Sequence, residues 1–146
     1  MRNLFLLVIC LAFSYPSFAQ NENERRWLIV FTAEEHHQEL SAQRDLIISN
    51  REDFLERRVA MMWVNNKNQV KPIFNSPTSG GNFTRNFQRF NTPKSDFQVI
   101  LIGLDGGVKF RSEMHIPYNE LIRVIDEMPM RQRELVNATE EIDDPQ

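Results

Sequence analysis

The segment Phe97–Arg111, FQVILIGLDGGVKFR, restricts the possible folds more than any other part of the chain. Side chains alternate along a strand, so Val99 and Leu101 point one way while Ile100 and Ile102 point the other. A strand that is apolar on both faces must be covered on both. Asp105-Gly106-Gly107 then supplies the positive φ angles of a tight hairpin turn. The returning strand, Val108–Ser112, is half polar, with Val108 and Phe110 on one side and Lys109 and Arg111 on the other.

Two further runs are apolar on both faces, Trp27–Phe31 (WLIVF) and Val59–Val64 (VAMMWV). Between them, Thr32–His37 reads as a strand-to-helix turn. A helical pattern follows from about Gln38 to Arg58, with Leu40, Ile47 and Phe54 at sevenfold spacing and Ile48 and Leu55 beside them. Ser49-Asn50-Arg51-Glu52 has the form of a capping box, which predicts a break near Asn50. A buried strand, a helix and a second buried strand make a right-handed parallel crossover. Asn65–Gly81 is a connector in which Val70–Phe74 allows a short edge strand, the place where Pro72 is tolerated. Phe83, Phe87 and Phe90 predict a short helix over Asn82–Asn91, its ring stripe facing the core. Leu121, Ile122, Ile125 and Met128 predict a helix over Ile116–Met128, with Pro117 in its first turn. Pro129 interrupts it, Met130–Val136 adds another turn, and the acidic segment Asn137–Gln146 is expected to be a disordered tail.

Residues 1–19 read as a secretory signal peptide. Arg2 provides the positive start, Leu4–Phe13 the apolar region and Ser17-Phe18-Ala19 the small residues at the cleavage positions. The apolar run is shorter than the ~20 residues of a membrane span, so no span is expected after cleavage. The expected address is the periplasm or the cell exterior. Removal of residues 1–19 takes away Cys10, the single cysteine of the chain. The exported domain, residues 20–136, then has no disulfide, thiolate nucleophile or cysteine metal ligand. With 17 basic against 20 acidic residues the chain lacks the basic footprint that nucleic-acid binding requires.

These elements assemble into an α/β fold. A four-stranded mixed sheet joins a parallel crossover to an antiparallel hairpin, with helices on both faces, in a thioredoxin-like arrangement. LIVFTA after Trp27, LIGLDGGVKFR in the hairpin and IDEMPMRQREL at Ile125–Leu135 resemble a thioredoxin-like domain of unknown function. That domain occurs in bacterial exported proteins and in animal extracellular-matrix proteins of the sushi-repeat-containing type, and is distantly peroxiredoxin-like. The resemblance covers about Trp27–Leu135 and implies no activity by itself.

Open sheets with parallel crossovers bind ligands beyond the carboxyl ends of their strands, which points to Thr32, Glu34, Glu35, His36 and His37. The resemblance places the reactive cysteine of thioredoxins and peroxiredoxins in this region, where a helix dipole favours the thiolate. No residue here does thiol chemistry, and a threonine hydroxyl needs a positioned base before it attacks anything. Glu34-Glu35-His36-His37 also contains metal-ligand types. Adjacent histidines diverge by about 100° on a helix, however, and a set such as His36 with Glu39 needs ligands from elsewhere, His115 being the only other histidine. The plainer reading is a solvated first helical turn. Lys109 and Arg111, with Lys94 and Arg123 nearby, form either an anion- or partner-binding face or a solubilising edge. Asp105-Gly106-Gly107 opens no helix and is not a phosphate loop. No residue is assigned a catalytic role, and no metal or cofactor is assigned. The leading expectation is a noncatalytic exported module that binds a protein or small ligand. The alternatives are an envelope redox accessory or enzyme using the Glu34–His37 turn, and a metal-binding protein at the same turn.

Overall fold

The structure, a computed structural model, describes residues 24–76, 90 and 95–143. The signal-peptide segment and, apart from Phe90, the helix expected over Asn82–Asn91 lie outside the described residues.

Five strands form one sheet: β1 (Arg26–Thr32), β2 (Val59–Val64), β3 (Val70–Phe74), β4 (Phe97–Ile102) and β5 (Val108–Ser112). Their spatial order is β3-β2-β1-β4-β5. The β1–β2 pair is parallel and every other pair antiparallel. The sheet therefore has five strands rather than the expected four, because the edge strand Val70–Phe74, with a bulge that leaves Ile73 out of the register, pairs with β2. Asn65 is the cause. Its side-chain oxygen accepts from the N–H groups of Lys67 and Gln69, both at 2.9 Å, and Asn68 turns the chain at φ 60°. Asparagine supports such a turn because its side chain mimics backbone and tolerates positive φ. Pro72 falls opposite Met62 in this outermost strand.

All residues of β1, β2 and β4 are buried, so the two-sided patterns are covered on both faces. One face packs Leu28, Val30, Met61 and Val99 against Leu40 and Ile47 of α1 (Gln38–Ser49), Phe54 of α2 (Arg51–Glu56), and Leu121 and Ile125 of α3 (Tyr118–Asp126). The other face gathers Trp27, Ile29, Ala60, Met62, Ile100 and Ile102, with Val70 and Phe90 packed on them. Among the described residues, helices lie only against the first face. The break at Asn50 is present, but its side chain donates back to the Leu46 carbonyl at 2.9 Å and makes no bond into α2. Asn50 thus closes α1 rather than forming a capping box. A fourth helix, α4 (Pro129–Asp143), continues past the single turn expected and through the first seven residues of the segment expected as a tail.

A layer of charge joins the start of β1 to the helices. Arg26 is wholly buried and donates to the Arg57 carbonyl at 2.8 Å and to Glu134 at 3.0 Å. Arg57 makes two 2.9 Å bonds to Asp126. Arg131, only 4% exposed, reaches Asp126 at 3.3 Å, Glu134 at 3.4 Å, and Glu56. The layer therefore ties together β1, the end of α2, the end of α3 and the first turns of α4. Burial pushes the Asp126 carboxyl up, but the bonds and charge of Arg57, and then of Arg131, outweigh it and hold the carboxyl below its ordinary value. A depressed carboxyl contributes stability above its unfolded value, and that contribution is lost as pH falls through the folded value.

Truncating one member of such a buried set strands the others. Glu134→Ala is expected to lower unfolding stability by about 3 kcal/mol, the scale of a broken buried pair. Arg123→Ala, which removes the exposed Arg123–Glu127 pair, is expected to change it by no more than about 1 kcal/mol. Urea denaturation at neutral pH measures both.

Candidate functional site

The carboxyl ends of the parallel strands β1 and β2 meet the amino end of β4 at one end of the sheet. Thr32 closes β1 there and is 6% exposed. Its carbonyl accepts from the indole of Trp63 at 2.9 Å, which fixes the ends of the two parallel strands to each other. A cleft of about 200 Å³ opens beside it, lined by Thr32, Ala33, Asn65, Asn66, Ser95 and Asp96 together with Phe31 and Val64.

Two of the lining polar groups are already occupied. Asn65 is spent on the β2–β3 turn, and Ser95 donates to the Phe97 carbonyl at 2.6 Å. Thr32 Oγ1 accepts at 3.5 Å from the Glu34 N–H and keeps its own hydrogen to donate. The Thr32 hydroxyl, the Asn66 amide and the Asp96 carboxylate remain to meet a ligand. These groups can donate, accept and attract positive charge. Among the described residues no base receives the Thr32 hydrogen, so the cleft lacks a nucleophile–base pair.

The five residues expected at this edge divide among different tasks, and only Thr32 lines the cleft. His37 is the N-cap of α1: its Nδ1 accepts from the Glu39 N–H at 3.3 Å, a role that requires that nitrogen unprotonated. Its ring stacks on Phe97 at 5.2 Å. Glu35 pairs with Lys71 across to β3, and the hydrogen bond from Lys71 holds its carboxyl below the ordinary range. Glu34 and His36 are exposed. Asn66 and Asp96 carried a signal that sequence reasoning passed over: Asn66 lies two residues after β2 and Asp96 directly before β4, at the same sheet end.

Beside the turn, Glu39 holds the segment after β5. Its Oε2 accepts from the His115 N–H at 2.7 Å and meets His115 Nδ1 at 2.6 Å. Gln43, fully buried, accepts from the Ile116 N–H at 2.7 Å. The His115 N–H, followed by its ring, lowers the Glu39 carboxyl below its ordinary value. His115 and Glu39 thus make a pair, while His37 is committed to its cap. Among the described residues no three His, Cys, Asp or Glu side chains converge as a metal set.

Lys109 and Arg111 do not form a common stripe. The β4–β5 register shifts between Leu101 and Ile102, and this irregularity displaces Lys109 from the alternation. Lys109 pairs with Asp105 at 2.5 Å and lies so close over Gly103 that a Cβ there would approach its Cε to 2.6 Å. Arg111, opposite Ile100, donates to Gln98 at 2.7 Å and to the Phe90 carbonyl at 2.8 Å. Arg123 pairs with Glu127, and Lys94 lies outside the described residues. No described helix is long and apolar enough to cross a membrane.

Glu39→Ala is expected to release the segment at His115–Ile116. Hydrogen bonds to a charged group contribute about 1.5–3 kcal/mol, so amide exchange at His115 should speed by about tenfold or more while β1 stays protected. In the unaltered protein the same protection should fall as pH drops below the ordinary glutamate value, because a depressed carboxyl loses its contribution on that side. Exchange followed by NMR measures both effects.

Residues 17–134 match a family described as Domain of unknown function (DUF4174), and the chain belongs to that family. No curated protein and no solved structure matches it.

Proposed function

We propose that this member of the DUF4174 family is an exported, noncatalytic, thioredoxin-like module that binds a protein or small ligand in the cleft at the carboxyl ends of β1 and β2. The order β2-β1-β4-β5, a parallel crossover continued by an antiparallel hairpin, supports the thioredoxin-like reading. In such a sheet the turn after the first parallel strand is where thiol chemistry would sit. Here the turn contains no cysteine, and of its two histidines His37 is spent on capping α1. The observation that carries the proposal is the cleft itself, which presents Thr32, Asn66 and Asp96 to the outside while, among the described residues, no base bonds to the Thr32 hydroxyl. Export to the periplasm or cell exterior rests on the signal-like residues 1–19.

A second reading takes the exposed Glu34 and His36 as groups lent to a partner's chemistry. Its support is that neither side chain is consumed by the fold.

Purified residues 20–146 are expected to reduce neither hydrogen peroxide nor insulin disulfides above buffer. Cross-linking in envelope extract should capture a partner that the Asn66→Ala/Asp96→Ala double variant loses and Glu34→Ala/His36→Ala keeps. Sustained reduction would sink the noncatalytic reading. Capture lost only with Glu34 and His36 would move the function to the turn.

A further inference from the structure

The cleft at the carboxyl ends of β1 and β2 admits a narrower assignment, which rests on the reading of the chain as a binding module. The strand registers set its walls. Phe31 pairs with Val64 of β2, and Thr32 pairs with Phe97 of β4. One step beyond both pairs, where the chains leave the sheet, Ala33 comes between Asn66 on one side and Asp96 on the other. Adjacent strands lie about 4.8 Å apart, so the chains bearing Asn66 and Asp96 stand roughly 10 Å from each other across Ala33. All three residues line the cleft, and the buried Phe31 and Val64 line it too. A methyl group at position 33 leaves the gap open, where a longer side chain would fill it.

The charge at the gap has one sign. Asp96 is exposed and makes no hydrogen bond or ion pair with a described residue. Its neighbour Ser95 bonds to the Phe97 carbonyl instead. Glu34, exposed in the adjoining turn, adds a second carboxylate beside the cleft. Among the described residues no cation lines the cleft: Lys71 is paired with Glu35, and Lys67, next to Asn66, is not part of the lining. A divalent metal is a poor match. Hard divalent cations take roughly six to eight oxygen ligands, and no three acidic or histidine side chains converge among the described residues. An ammonium asks for less. Its three donors can be met by a carboxylate, an amide oxygen and water, while the methylenes behind it lie on an apolar floor.

We propose that the cleft binds a primary ammonium carried on a short aliphatic chain. The ammonium meets Asp96, and the chain crosses Ala33 over Phe31 and Val64 toward Asn66. A free alkylamine and a lysine side chain both present this chemistry, and the open cleft admits either.

The test follows the amide signals of Ala33, Asn66 and Asp96 in the purified protein by NMR at neutral pH and low salt. Butylamine represents the free amine and acetyl-Gly-Lys-Gly-amide the lysine side chain, while 1-butanol and butyrate carry a similar chain without positive charge. Butylamine is expected to shift the three signals saturably in the millimolar range, butanol only weakly and butyrate not at all. Tighter binding of the peptide than of butylamine assigns lysine as the source, and weaker binding assigns the free amine. Asp96→Asn, which keeps the shape of an exposed side chain, should weaken butylamine severalfold, the scale of one exposed ion pair. Ala33→Leu should weaken butylamine and butanol alike by filling the gap. Glu140→Gln, a charge change on the exposed part of α4, should alter neither. No shift with butylamine, equal shifts with butanol, or undiminished butylamine binding in Asp96→Asn and Ala33→Leu would overturn the ammonium assignment. Failure of the binding module reads out separately, as envelope capture that survives the Asn66→Ala/Asp96→Ala double variant.

Discussion

Every residue of β1 is buried, and the strand is paired on both edges, to β2 in parallel and to β4 in antiparallel. The rest of the structure follows from that constraint. A central strand covered on both faces demands two apolar layers, and the chain supplies α1, α2 and α3 for one of them. The strand also begins with an arginine. A guanidinium in such a place has to be met by acceptors and counter-charge, because an unpaired buried ion is far costlier than any single hydrophobic contact is favourable. The polar layer of Glu134, Arg131, Asp126 and Arg57 meets that demand, and in doing so it brings α4 against the sheet.

What was legible in the sequence was local and periodic. The hairpin at Asp105–Gly107, the three strands apolar on both faces and the break at Asn50 could all be read from spacing and turn chemistry. What was not legible depended on contacts between distant residues. The edge strand Val70–Phe74 was readable from Pro72, but its pairing with β2 depends on the turn that Asn65 makes. Arg26 sits just before the apolar run WLIVF, and nothing in its sequence marks it as buried, since arginine is ordinarily a surface residue. The register shift that separates Lys109 from Arg111 is a property of the paired strands and not of either strand alone. The turn Thr32–His37 lies between the end of β1 and α1, where capping, cross-strand pairing and stacking divide its side chains.

The two ends of the sheet offer different chemistries. The cleft beside Thr32 is polar and open, with a hydroxyl, an amide and a carboxylate. The end beside Arg26 is apolar at Leu104, Met128 and Met130, and its cations are paired within the chain, Lys109 with Asp105 and Arg26 with Glu134. Membership of a family says nothing about which of these is used, because function resides in the site and not in the fold. What distinguishes them physically is that the Asp96 carboxylate has no partner among the described residues, whereas the Arg26 guanidinium is paired with Glu134.

The register of β1 has a mechanical consequence. Seven residues of strand at about 3.3 Å each hold those two ends roughly 20 Å apart. A slip of one residue would exchange the two apolar faces of β1 and carry Arg26 and Thr32 out of their places, so the strand cannot slide to transmit a signal. It acts as a fixed ruler. Whatever occupies one end leaves the other at the same distance, and any communication between them has to run through the turns and α4 around the strand.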